Sequence, residues 1–295
     1  MKNKLVELES LCKMSQGAVK RHVTEELLNS GYKPEVRDGF VYAKGRYPVL
    51  LVAHMDTVHK EVVKKIKHKG SIIYSPQGIG GDDRCGVFII LKLIKFFNCS
   101  VLFCEDEEIG CVGAKKFLNS IDYTSLDINF IIEFDRRGSN DCVFYDCDNN
   151  EFEDFILSTG FWKTHWGSCS DISYLAPAIG CAAVNLSCGY HDEHTLDEYI
   201  DTEQVLTVIE EAKKLLSLEL SFYEYVEREN FYDFYDRGFY DEYDGFPYHL
   251  YVEDEDEALV VHEVFAYSKM EAIGIFLSEN PTLTAGNILH IYSYY

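Results

Sequence analysis

The sequence predicts an α/β fold in which a mostly parallel or mixed sheet carries helices on both faces. Three observations predict it. Residues 49–53 (Val-Leu-Leu-Val-Ala) and 101–104 (Val-Leu-Phe-Cys) are apolar at consecutive rather than alternate positions, the pattern of strands covered on both sides. Stretches with apolar residues three and four apart lie between such runs, so strand and helix alternate along the chain. The length of 295 residues is enough to bury a full core without a covalent staple.

Taken in order, residues 4–30 place Leu5, Leu8 and Leu11, then Val19, Val23, Leu27 and Leu28, at helical spacing before Gly31, which reads as one or two helices with a glycine C-cap. Asp38-Gly39 between two β-prone runs signals a hairpin, and Lys69-Gly70 marks a second pair of strands. Within residues 48–57 (Pro-Val-Leu-Leu-Val-Ala-His-Met-Asp-Thr), 49–53 form a buried strand. A helix follows at 84–97, a strand at 100–104, a helix at 110–119, a strand at 127–134, a helix at 150–158, a strand at 181–186 and a helix at 202–219. The remainder differs: residues 221–257 are an acidic, Tyr-rich connector, and 258–295 are a small β/α appendage with a strand, a helix at 268–278, a turn at Asn280-Pro281 and a short strand.

Composition limits the function classes. The formal net charge is −23, and the last 75 residues carry 16 acidic against 3 basic side chains. That shift sets a boundary near residue 220 and argues against nucleic-acid partners, whose phosphates require the opposite sign. The ten cysteines are scattered with no Cys-x-x-Cys pair, so they read as reduced packing thiols. No apolar leader opens the sequence and no window reaches the roughly 18 apolar residues of a membrane span. A cytoplasmic location without membrane contact is expected.

Ligand sites in parallel sheets lie beyond the carboxyl ends of the strands, which makes the residues there informative. The strand at 49–53 runs into His54 and Asp56, and residues two apart in extended chain share a side. A Gly-rich turn, Gly78, Gly80 and Gly81, leads to Asp82 and Asp83. The strand at 100–104 runs into four acids, Glu105, Asp106, Glu107 and Glu108. The strand at 127–134 meets Glu133 and Asp135, and the last one is followed by His191, His194 and Glu198. Each alone has a structural explanation: a satisfied core histidine, a helix cap, a solvated charge run or a helix-start pair. Five such groups at one sheet edge, all of ligand type, point instead to metal. Imidazoles and carboxylates without thiolates suit zinc first, with manganese or cobalt as alternatives, and the number of oxygens suggests two divalent ions sharing a carboxylate.

The ordered motifs "AHMDTV", "GDDRCG", "DEEIG", "EFD" and "HTLDE" resemble the di-zinc exopeptidases and amidohydrolases that include peptidase T, aminoacylase and succinyl-diaminopimelate desuccinylase. "DDRCG" is also similar to related co-catalytic aminopeptidases of glutamyl or tetrahedral-shell type. The resemblance covers roughly residues 45–220 and implies a phosphorylase/hydrolase-like zinc peptidase fold. It implies that His54, with Asp56 orienting its ring, and Asp135 hold one ion. Asp82 bridges the two ions across a cis peptide to Asp83, and Glu108 and His194 complete the second site. Glu107 is then the general base. Many members insert a lid domain between "EFD" and "HTLDE". Here only residues 136–193 separate these motifs, which leaves no room for it, so 1–220 reads as a lid-less catalytic domain.

Arg136, Arg137 and His191 are the candidate substrate contacts, with His191 also a competitor of His194 as ligand. His59 reads as a surface residue. The function expected is metal-dependent amide hydrolysis by an aminopeptidase or small-peptide exopeptidase. The alternatives are deacylation of an N-acyl amino acid, and a non-catalytic metal-binding protein that uses its acidic tail as a partner surface. Neither the substrate nor the oligomeric state is legible.

Overall fold

A computed structural model describes residues 2–123, 126–167 and 169–228 and, beyond these, 246–253, 259–266, 273, 275–278, 280, 283 and 288–293. The chain divides into two units, Met1–Arg228 and Glu229–Tyr295.

The first unit begins with helices α1 (Lys2–Cys12) and α2 (Gln16–Asn29), followed by the hairpin β1 (Glu35–Arg37) and β2 (Phe40–Ala43). Val19, Val23 and Leu27 form the buried stripe of α2, and Gly31 takes the left-handed conformation (φ 83°) that ends it. Strand β3 (Tyr47–His54) leads to a second hairpin, β4 (Lys67–Lys69) and β5 (Ile72–Tyr74), then to helix α3 (Gly81–Leu93), strand β6 (Cys99–Cys104) and helix α4 (Val112–Ser120). Next come β7 (Phe130–Arg136), β8 (Asp141–Val143), α5 (Asn150–Leu157), β9 (Lys163–Thr164), α6 (Ile172–Ile179), β10 (Ala183–Ser187), β11 (Tyr190–His191), β12 (Tyr199–Asp201) and α7 (Thr202–Leu216).

Eight strands form the main sheet in the order β1-β2-β6-β3-β7-β10-β8-β9. Its centre, β6-β3-β7-β10, is parallel throughout, whereas β1, β2 and β8 join antiparallel pairs. The sheet is therefore mixed with a parallel core. Residues 50–54 of β3 are all buried, and their side chains divide between two hydrophobic clusters: Leu51 and Ala53 with α1, α2, α3 and α7, and Leu50 and Val52 with α4 and α6. That division explains the absence of alternation. Helix α3 is buried on every side except at Lys92, as expected of a helix enclosed by other elements.

A second sheet, β11-β12-β5-β4, has four strands. It brings the segment after β10 beside the turn before α3. Residues 136–193 build β8, α5, β9, α6 and β10, so this segment completes one flank of the sheet. Residues 221–228 pack on the same unit: the Tyr223 ring lies 5.2 Å from Phe152 and 5.3 Å from Phe155. Its apolar bulk determines its place more than the acidity around it.

The second unit contains β13 (Phe246–Glu253), β14 (Leu259–Ala266) and β15 (Ile288–Ser293), an antiparallel sheet with β13 in the middle. Strand β13 starts inside the stretch expected to be a connector. Its pattern is period two, since Leu250 and Val252 are fully buried with Val264 and Phe276, and the surrounding acids mask that pattern in the sequence. Residues 275–278 are helical. Residues 229–245 and 254–257 of the connector, 268–272 and 274 of the expected helix and Pro281 of the expected turn lie outside the described residues. No helix among the described residues is long and apolar enough to cross a membrane.

Candidate metal centre

The parallel strands end side by side, and the chain leaves each of them carrying polar groups. His54 is the last residue of β3 and has no exposed surface. Its Nδ1 lies 3.1 Å from Asp56 Oδ1, a contact that fixes the ring and leaves Nε2 turned toward the cluster. Asp56 also accepts the amides of Glu107 and Glu108, each at 3.1 Å, so one carboxylate joins the end of β3 to the loop after β6.

His54 Nε2 is 2.9 Å from Asp82 Oδ1 and 3.4 Å from Asp135 Oδ1. The other oxygen of Asp82, Oδ2, lies 3.2 Å from His194 Nε2, which is in turn 3.0 Å from Glu108 Oε2. Asp82 thus offers one oxygen to His54 and Asp135 and the second to His194 and Glu108. The Asp82–Asp83 peptide is cis. Asp83 is enclosed and accepts the amides of His54 at 3.3 Å and Gly86 at 2.8 Å. Ligand atoms of His54, Asp82 and Glu108, and of His54, Asp83 and Asp135, form two groups within 4.8 Å.

The donor set fits divalent ions. Glu108 Oε1 is buried without a partner. Burial, then the charge of Asp82, pushes Glu108 up to about 7. Burial holds Asp135 well above the usual carboxylate range, with Asp82 adding to it and His54 opposing it. His194 rises to about 9, chiefly through its hydrogen bond to Asp82. Buried carboxylates this close repel one another, and cations relieve both the repulsion and the desolvation. Two imidazoles and three carboxylates match the ligands of zinc and its neighbours.

Glu107 is half-buried beside the cluster and accepts from the Cys111 thiol at 3.5 Å. The remaining candidates point elsewhere. His191 Nε2 lies 2.7 Å from Gln204 Oε1 and its ring stacks on Tyr199. Arg136 faces His165 and Asp141, and Arg137 pairs with Glu193 at 3.0 Å.

Several contributors were not legible. His59, read as a surface residue, has a side chain only 8% exposed and lies 2.6 Å from Glu198. Glu198 is buried and accepts the amides of Gly80 and Asp82, each at 2.9 Å, so it holds the turn that presents Asp82. Tyr190 donates to Asp135 at 3.2 Å. Behind Asp135, Asn185 accepts its amide at 2.9 Å, and Ser170 donates to the buried Glu133. Both oxygens of buried Asp171 lack a hydrogen-bond partner. A buried carboxylate after a Ser-Cys-Ser run carries no sequence signal by itself.

The Peptidase family M28 model matches residues 42–156, the stretch from β2 to α5 that carries four of the five candidate ligands. No curated protein sequence matches. Among solved structures, the aminopeptidase PepT of Bacillus cereus is similar, at 14% identity and a TM-score of 0.62, over 73% of this chain and 97% of that one. A tripeptidase from Staphylococcus aureus gives 13%, 0.60, 73% and 98% in the same order, and an aminopeptidase from the archaeon Desulfurococcus kamchatkensis gives 15%, 0.58, 74% and 96%. At such identities the likeness is one of fold. It is the fold expected, a mainly parallel sheet flanked by helices.

Proposed function

We propose that this chain is a co-catalytic di-metal hydrolase that cleaves an amide bond, acting as an aminopeptidase or small-peptide exopeptidase. The observation that carries the reading is Asp82: one buried carboxylate directs its two oxygens at two separate sets of donors, His54 with Asp135 and His194 with Glu108. Two ions sharing one carboxylate would use both of its oxygens in this way. The family model and the aminopeptidase-like fold support peptides as substrates.

His54 and Asp135 would hold one ion, His194 and Glu108 the other, with Asp82 between them. Bound ions would polarise the scissile carbonyl and make water a stronger acid. Glu107 takes the proton of the attacking water and returns it to the leaving amine. Its side chain is not drawn into an ion pair among the described residues, which leaves it available for that exchange. Asp56 keeps His54 in the tautomer that presents Nε2, and its two amide contacts hold Glu107 and Glu108 in register with the histidine.

The test is a panel of aminoacyl amides, di- and tripeptides, and N-acetyl and N-succinyl amino acids, assayed with zinc, manganese and cobalt. Peptide cleavage with about two ions per chain is expected. Preference for N-acyl amino acids would move the assignment to deacylation. Less than about one ion per chain after reconstitution would refute the di-metal reading. Glu107→Ala should retain its ions and lose about 10² to 10⁴ in rate, and near-native turnover of that variant would refute the assignment of the base.

A further inference from the structure

The candidate ligands are not equally enclosed. The side chains of His54, Asp82, Asp135 and Glu108 are 10% exposed or less, whereas that of His194 is 54% exposed. Solvent therefore reaches the cluster across His194 and its contact with Glu108. The two turns that meet there are polar in sequence, Glu107-Glu108-Ile109-Gly110 and His194-Thr195-Leu196-Asp197, yet each presents one large apolar side chain to water. Ile109 is 75% exposed, more than any other large apolar residue among those described, and Leu196 is 65% exposed.

Both turns are tied down. The Glu107 carbonyl accepts the amides of Gly110 and Cys111, each at 2.8 Å, while Thr195 Oγ1 donates to the Asp192 carbonyl at 2.7 Å and accepts the Asp197 amide at 3.2 Å. A third exposed apolar residue, Trp166, follows His165, whose ring accepts from Arg136 at 3.2 Å, the residue after Asp135. One exposed apolar side chain is ordinary. Three of them, on separate loops bordering one set of convergent polar groups, have the composition of a ligand site. Asp192 and Asp197 lie exposed beside Leu196, which favours a cationic group there and repels an anionic one.

We propose that Ile109, Leu196 and Trp166 form an apolar subsite at the mouth of the candidate metal centre, which selects peptides whose free amino-terminal residue carries a bulky apolar side chain of the leucine or phenylalanine type. The inference rests on the aminopeptidase reading above and adds the substrate class to it. Such a side chain covers apolar surface that otherwise faces water, and the water released from both partners drives the contact. The acids of the same turn suit the α-ammonium and disfavour an acidic first residue.

The full chain, reconstituted with zinc, is titrated calorimetrically with L-leucinol, L-phenylalaninol and L-alaninol, which present the ammonium and the side chain but hold no amide to cleave. The first two should bind about tenfold more tightly than the third. Ile109→Ser, Leu196→Ser and Trp166→Ser, made together, should bring all three within about twofold of one another. These residues are exposed, so the melting temperature should stay near that of the wild type. Leu28→Ser, which removes an exposed apolar side chain from α2, should keep the preference. Equal binding of the three alcohols, binding by none of them, or an undiminished preference in the triple variant would overturn the proposal. Turnover separates it from the reading beneath it: cleavage of Leu-Gly and Ala-Gly at equal efficiency overturns the subsite and leaves the hydrolase, whereas tight leucinol binding with cleavage of neither peptide supports the subsite and overturns the peptidase.

Discussion

Glu198 shows how a single side chain sets the geometry of a cluster it does not join. Its carboxylate accepts the amides of Gly80 and Asp82 and meets His59, so the turn bearing Asp82 is held from behind. Supports of this kind are commonly worth about 10- to 100-fold in metal affinity. Glu198→Ala should lower zinc affinity by that order in a competition titration with a chromogenic chelator, and unchanged affinity would show that the turn holds itself. Asp171 makes a second residue-scale case. Burial pushes it up to about 7; the nearby Cys104 thiol lowers it without offsetting burial, and Glu107 raises it further. Because its folded pKa exceeds the ordinary 3.8, the folded chain retains a proton that the unfolded chain releases. Stability from this group is therefore present at low pH and lost as pH rises toward 7. In metal-free protein, Asp171→Asn should raise the melting temperature more at pH 8 than at pH 5. An equal change at both pH values would contradict burial as the cause of the raised pKa.

At the scale of elements, the start of α3 is the tightest junction. A Cβ at Gly86 would lie 1.9 Å from the Phe134 carbonyl oxygen and 2.4 Å from Asp83 Oδ2, and a backbone carbonyl in the central strand cannot move aside. Gly86→Ala should cost about 1 to 3 kcal/mol or more in denaturant unfolding and weaken metal binding at the same time, because Asp83 adjoins Asp82. A variant as stable as the wild type would mean that α3 can slide. The long elements were legible because each carries its own period: the α2 stripe, the continuous apolar runs of β3 and β6, and the Asp38-Gly39 and Lys69-Gly70 turns. Strands β8, β9, β11 and β12 were not, since two or three residues contain no period. Helix α6 was hidden by Pro177 and the nearby Gly180, which signal a loop. Its buried face of Ile172, Leu175 and Ala176 overrides that local signal by packing.

Over the whole of the first unit, the ligand cluster links the ends of β3, β6 and β7 to the loop after β11, so ions bound there would stabilise the fold of that unit. Ligand at about 100 times its dissociation constant adds about 2.7 kcal/mol, and each kcal/mol moves the melting temperature of a domain of this size by about 2–4 °C. Chelation should lower the melting temperature by several degrees and zinc should restore it. A melting curve indifferent to chelator would argue against any resident ion.

The sequence by itself determined the α/β class, the order of the long elements and the residue types waiting at each strand end, because periodicity and turn chemistry are local properties of the chain. Only the tertiary structure decided which of those residues meet. His194 and His191 are three positions apart, yet one reaches Asp82 and Glu108 while the other turns to Gln204. Glu198, singled out in the sequence beside His194, and His59, read there as a surface residue, become a buried pair. Such outcomes depend on where β11 and β12 pair with the second sheet and how the loop between them turns, and the physical reason is that long-range packing, not local preference, sets the direction of a side chain.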